Sequence, residues 1–100
     1  MRRIERSTVF KRDYRRIKAG SRYRDLDGFL TACVEILLTD GEMPGNLRDH
    51  GLSGSWANHR ECHLRPDLLL IYAKPSDDVL RLVRLGSHSE LFKCRSLDMI

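Results

Sequence analysis

One hundred residues suffice for one domain with one core and are too few for two. A hydrophobic share of 41% against 32% charged residues fits a folded globular chain and excludes a disordered one. No apolar run approaches the roughly 20 residues that a membrane-spanning helix needs.

The basic start at Arg2 and Arg3 is not followed by the apolar stretch of a secretion signal, so a cytoplasmic location and no membrane partner are expected. Cys33, Cys62 and Cys94 are odd in number and widely spaced, the usage of reduced thiols rather than of a disulfide framework. Net charge is +4, and its placement is uneven. Residues 1–24 hold ten of the eighteen Lys and Arg with only Glu5 and Asp13 as acids, while the remainder is net acidic. An electropositive N-terminal flank follows, suited to phosphate, to an acidic protein or simply to solvent.

In chain order, Arg2–Arg6 reads as a short edge strand. From Ser7, a capping residue, the pattern turns helical, with Phe10, Tyr14 and Ile17 on one face and Lys11, Arg12, Arg15, Arg16 and Lys18 around the rest, until Gly20 stops it. A second helix opens near Asp25 or Asp27, and Leu26, Phe29, Leu30, Cys33, Val34 and Leu37 form its apolar stripe before Asp40-Gly41. Three or four strands are predicted next, over about 47–52, 56–64, 68–74 and 79–85, with turns at Gly51–Gly54 and Pro75–Asp78. The run from Leu68 to Tyr72 is apolar at every position, as a central strand covered on both faces must be. Two helices followed by hairpin-linked strands give an α+β fold: two N-terminal helices on one face of a small, mainly antiparallel sheet of four to five strands.

The four histidines, His50, His59, His63 and His88, all lie in the sheet half, three of them at predicted strand ends near Asp67 and Arg84. Groups of these types on one rim of a sheet could surround a phosphate, since imidazole changes charge near neutral pH. Each also has a plainer use as a hydrogen-bonded surface residue or, for Asp67, a turn cap. His59 and His63 with Cys62 imitate zinc spacing, but on a strand four residues span about 13 Å, too far to share one ion. No metal site and no cofactor are expected.

Three segments then resemble one family. Arg48-Asp49-His50-Gly51-Leu52-Ser53-Gly54-Ser55-Trp56 is similar to the (K/R)DH-x-L-x-GSW segment of YafQ-type toxins. Arg60 to Asp67, continued by Leu69-Leu70-Ile71-Tyr72, resembles their R-(D/E)-x-H-(V/I/L)-x-PD segment. Arg84, Gly86, His88, Leu91 and Phe92 resemble their closing R-x-G-(S/T)H-x-x-LF. Each is weak alone; three in order, covering residues 1–92 as one domain, are specific.

The resemblance implies a RelE-like fold and the toxin half of a type II toxin–antitoxin pair. It implies a metal-independent endoribonuclease that cuts mRNA in the ribosomal A site and so inhibits translation. It implies as partners a DinJ- or RelB-like antitoxin, the 70S ribosome and mRNA, and operator DNA only through the antitoxin. By the same resemblance the catalytic site is His50, His63, Asp67, Arg84, His88 and Phe92. Arg84 would stabilise the phosphate, His88 and His50 would serve the leaving group, and His63 and Asp67 the base side. Lys11, Arg12, Arg15, Arg16 and Lys18 would meet ribosomal RNA. The rival readings are a ParE-like toxin that blocks a target such as gyrase without cutting RNA, and a relic that binds only antitoxin and operator. The chain departs from the family in having Leu68 where Trp follows Pro-Asp, and in a short extension at residues 93–100. Both bear on codon preference more than on chemistry.

Overall fold

The computed structural model describes residues 2–92; Cys94 and the extension at 93–100 lie outside the described residues. Five strands and three helices follow in order: β1 (Arg3–Arg6), α1 (Thr8–Ala19), α2 (Leu26–Leu38), β2 (His50–Gly51), β3 (Arg60–Arg65), β4 (Leu68–Ser76), β5 (Val79–Gly86) and α3 (His88–Leu91). The sheet order is β1-β5-β4-β3-β2. β1 runs parallel to β5, and the other three pairs are antiparallel. The expected fold class is what forms.

Both long helices are specified locally. Ser7 caps α1 by accepting the Phe10 N–H at 2.9 Å, and Gly20 closes it through its N–H on the Ile17 carbonyl. α1 buries Phe10, with Tyr14 and Ile17 half-buried beside it, while α2 buries Leu26, Leu30, Cys33, Val34 and Leu37. These faces cover Cys62 and Leu64 of β3, Leu68, Leu70 and Tyr72 of β4, and Leu80, Leu82 and Leu85 of β5. Cys33 and Cys62 are free thiols, their sulfurs 3.5 Å apart in this core. No helix among the described residues is long and apolar enough to cross a membrane.

The alternate residues Leu69 and Ile71 point to the opposite face, where Leu91 and Phe92 pack on them beside Leu52, Trp56 and Val83. α3 follows directly on β5 and brings Leu91 to this second face.

Two predicted strands shrink. Of 47–52 only His50–Gly51 is paired, and 56–64 narrows to Arg60–Arg65, with short 3-10 turns at Gly45–Leu47 and Gly54–Trp56. Left-handed backbone at Arg48, Gly54 and Asn58 breaks the extended conformation there. Leu68 is 1% exposed and belongs to the helix-side core, so it packs and offers no surface for stacking.

Removing one buried side chain tests the two-sided placement of β4. Leu70→Ala, at a position with no exposure, should cost about 2–5 kcal/mol of stability. Chemical denaturation at neutral pH checks this; a loss under about 1 kcal/mol would show that Leu70 is not in a packed core.

Candidate active site

The loop that carries His50 is fixed from below by its neighbour, Asp49. The Tyr72 hydroxyl donates to the Asp49 carboxylate at 2.6 Å, and Arg60 adds two longer hydrogen bonds at 3.4 and 3.3 Å. Burial, then the Asp49 hydrogen bond, pushes the Tyr72 hydroxyl well above its ordinary range, so it stays a donor. His50 leaves this anchor exposed, its Nδ1 against the Arg48 carbonyl at 2.8 Å. A carbonyl only accepts, so Nδ1 carries a proton.

His50 then meets two residues of β3. Strand alternation puts Glu61 and His63 on the face away from α1 and α2, with Cys62 on the other. Glu61 is 4% exposed, and one of its oxygens, Oε2, lies 3.3 Å from His50 Nε2 and 3.2 Å from His63 Nε2. The two imidazole rings stand 6.2 Å apart around it. His63 Nδ1 is buried without a hydrogen-bond partner among the described residues, an unspent polar atom of the kind that functional sites keep. Glu61 was not among the sequence-derived site residues. Its signal was available: it stands two positions before His63, the spacing that shares a strand face.

A second group is built on α3. Ser87 and Glu90 form a reciprocal cap: the Ser87 hydroxyl accepts the Glu90 N–H at 3.2 Å, and Glu90 accepts the Ser87 N–H at 2.9 Å. The cap sets the place of His88, whose ring lies 4.7 Å from that of Phe92. Phe92 in turn meets Trp56 edge-on at 6.3 Å and is buried on Leu69 and Ile71, so its first role is packing. His63, Leu69 and Gly86 lie in one row across three strands. His63 and the segment leading to His88 are therefore two strand spacings apart, about 10 Å.

The remaining two residues are held by acids and bases of the N-terminal half. Arg84 grips Asp13 of α1 through Nε at 2.8 Å and Nη2 at 3.3 Å. Asp67, in the turn between β3 and β4, is ion-paired with Arg22. Neither hydrogen-bonds to a histidine among the described residues. The six sequence-derived residues thus form two contacting pairs, His50 with His63 through Glu61 and His88 with Phe92, with Arg84 and Asp67 tied to separate partners.

His50, Glu61 and His63 also offer ligand atoms within 4.8 Å of one another. Two imidazoles and a carboxylate suit zinc or copper, so these residues fit a borderline divalent cation. His59 does not join them; its Nδ1 lies 3.0 Å from the Ala57 carbonyl, and Cys62 faces the core. On α1 the side chains of Lys11, Arg12, Arg15, Arg16 and Lys18 are all exposed. Arg16 pairs with Asp13 and Glu90, and Lys18 with Asp27, whereas Lys11, Arg12 and Arg15 make no ion pair among the described residues.

The family described as bacterial toxin of type II toxin–antitoxin system, YafQ, matches residues 2–93. The chain belongs to the YafQ family. A relative from Escherichia coli K12, the mRNA interferase toxin YafQ, is 34% identical over 89 residues, covering 89% of this chain and 94% of its own. Among solved structures, a copper-bound variant of a toxin from Helicobacter pylori superposes with TM-score 0.81 at 35% identity, covering 92% of this chain and 100% of its own. YafQ in the DinJ–YafQ complex of Escherichia coli gives TM-score 0.79 at 33% identity, covering 92% of this chain and 99% of its own.

The α3 cap in this YafQ-family chain is pH-dependent. The Ser87 N–H, then the Ser87 hydroxyl and Arg16, hold the Glu90 carboxyl below its ordinary value of 4.5. A depressed carboxyl contributes stability that is present above pH 4.5 and is lost as pH falls through its folded value. Glu90 is 42% exposed, so this contribution is modest, about 0.5–1 kcal/mol. Glu90→Ala should therefore lower the exchange protection of the Leu91 amide about 2- to 5-fold at neutral pH, measured by hydrogen exchange. Equal protection in variant and parent would show that the cap does not hold α3.

Proposed function

We propose that this chain is the toxin of a type II toxin–antitoxin pair and cleaves mRNA in the ribosomal A site by acid–base catalysis, thereby inhibiting translation. The observation that carries the reading is the buried Glu61 between His50 and His63, on the sheet face that also bears α3 with His88. The activity named for the Escherichia coli relative supports it. Two imidazoles on a buried carboxylate suit proton transfer, a chemistry that a toxin which only blocks a target does not need. The DinJ–YafQ complex supports a DinJ-like antitoxin as partner; operator DNA is reached only through that antitoxin. The ribosome and mRNA follow from the proposed reaction.

The ribose 2′-OH attacks the adjacent phosphorus, the O2′–P bond forms and the P–O5′ bond breaks. The products are a 2′,3′-cyclic phosphate and a 5′-hydroxyl. One group takes the 2′ proton and another returns one to O5′. His63 takes the base side, with Asp67 in support. Glu61 orients both His63 and His50. His88, about two strand spacings away, takes the leaving-group side together with His50. Arg84 offsets the charge that builds on the phosphate oxygens. A divalent ion held by His50, Glu61 and His63 would supply positive charge to the same phosphate; the proposed chemistry does not call on it. Lys11, Arg12, Arg15, Arg16 and Lys18 form the surface for ribosomal RNA.

Primer extension on a reporter mRNA with purified ribosomes tests this. His63→Ala and His88→Ala should each fold and cleave about 10²- to 10⁴-fold more slowly. Cleavage by both within a few-fold of the parent would remove this site. Toxin treated with EDTA before dilution into magnesium-containing ribosomes should cleave unchanged, and activity restored only by zinc would move the reaction to a metal.

The basic helix is tested separately. Reversing the charge of Lys11 and Arg15 should weaken ribosome binding and flatten its dependence on salt. Single-turnover cleavage at saturating ribosomes should change little. An unaltered salt slope would make this face a solvated one or an antitoxin contact.

A further inference from the structure

β5 outruns its parallel neighbour. Arg6, the last residue of β1, pairs with Leu82, and β5 continues to Gly86 with β4 as its one strand neighbour among the described residues. The open edge is closed by the start of α1. Ser7 donates through its hydroxyl to the Val83 carbonyl at 2.7 Å, and the Leu85 N–H donates to Asp13 Oδ2 at 3.0 Å.

Asp13 is 5% exposed, and the same oxygen that caps Leu85 accepts Arg84 Nε at 2.8 Å, while its other oxygen accepts Arg84 Nη2 at 3.3 Å. Arg16 approaches that second oxygen at 3.6 Å and reaches on to Glu90, the capping residue of α3, at 2.6 Å. Two guanidiniums and a backbone N–H thus converge on one buried carboxylate. Edge closure alone needs a single neutral acceptor. The charge, and both oxygens, are used on Arg84. Nη1 of Arg84 has no hydrogen-bond partner among the described residues, so one side of a planar, oriented guanidinium is left for another acceptor.

We infer that Asp13 is a positioning residue for RNA cleavage: it fixes the guanidinium of Arg84 so that its free Nη1 side meets the scissile phosphate. The inference rests on Arg84 being the phosphate-binding group of the proposed function. An arginine free to rotate pays side-chain entropy each time it engages a phosphate. One already gripped through Nε and Nη2 has lost that freedom in advance, which is how preorganised charge accelerates a reaction.

Asp13→Asn separates the two uses of the carboxylate. The amide oxygen still accepts the Leu85 N–H, but the charge that orients Arg84 is gone. Single-turnover cleavage at saturating ribosomes is measured for the parent, Asp13→Asn, Arg84→Ala and the double variant, with ribosome affinity and thermal melting alongside. Asp13→Asn should cleave about 10- to 100-fold more slowly, with ribosome affinity within about two-fold of the parent. In the Arg84→Ala background the same substitution should cost no further rate, because Asp13 acts through Arg84.

Equal losses in both backgrounds would make Asp13 a purely structural edge cap and overturn the inference. Faster cleavage by Asp13→Asn would overturn it too, since the carboxylate would then be withholding Arg84. Should Arg84→Ala cleave like the parent, the phosphate assignment in the proposed function fails as well. A damaged Arg84→Ala beside an unimpaired Asp13→Asn sinks this inference alone. If Asp13→Asn does not fold, Asp13→Glu keeps the charge, moves it by one methylene and runs through the same cycle with the same expected pattern.

Discussion

Six consecutive residues of β4, Leu68 to Ala73, are buried, and a strand buried on both faces obliges the chain to cover both. α1 and α2 cover one face fully. On the other, among the described residues, α3 and the Trp56 loop pack on Leu69 and Ile71. The margin of that smaller patch is where polar groups can sit half out of water. Glu61 lies opposite Ile71 in the ladder, and His63 opposite Leu69. Their place beside apolar neighbours strengthens the contacts between carboxylate and imidazoles, since fewer waters compete for them. The central strand therefore sets where a reactive site can be as much as it sets the fold.

α1 carries three functions on three faces. Phe10 enters the core, Lys11, Arg12 and Arg15 stay exposed and unpaired among the described residues, and Asp13 turns inward to the edge of β5. A buried carboxylate on an otherwise basic helix is costly unless it is fully satisfied. Here Arg84, Arg16 and the Leu85 N–H satisfy it. The same helix thus brings long-range positive charge to the molecule and short-range order to one arginine and, through Arg16 and Glu90, to α3.

The helices and the central strand were legible in the sequence because apolar spacing reports them directly: Phe10, Tyr14 and Ile17 on α1, the stripe from Leu26 to Leu37 on α2, and the unbroken run at Leu68. The short elements were not. His50–Gly51 is a strand only because Glu61 and Arg60 pair with it, and nothing local marks that. The parallel pairing of β1 is equally a product of distant residues, Val79 to Leu82. Of the site, the histidines and the arginine could be named from type and motif. Their grouping could not, because Glu61 reads as an ordinary charged strand residue until His50 is seen across the ladder. Asp13 reads as one acid in a basic run until β5 is seen to lack a neighbour.

The shared oxygen of Glu61 makes two chemistries of this site mutually exclusive. Nε2 of His50 and Nε2 of His63 both face Oε2, and each nitrogen can either carry a proton toward that oxygen or offer a lone pair to a cation. A cation on the same three residues needs those Nε2 lone pairs free, so its binding must expel the protons that acid–base work would use. The Arg48 carbonyl holds a proton on Nδ1 of His50, which in the neutral ring leaves the Nε2 lone pair as the variable site. His63 has no such constraint, as its Nδ1 has no hydrogen-bond partner among the described residues. The two imidazoles are therefore chemically unequal in a symmetric-looking pair: His50 is anchored in one tautomer through Nδ1, whereas either ring nitrogen of His63 can carry its proton.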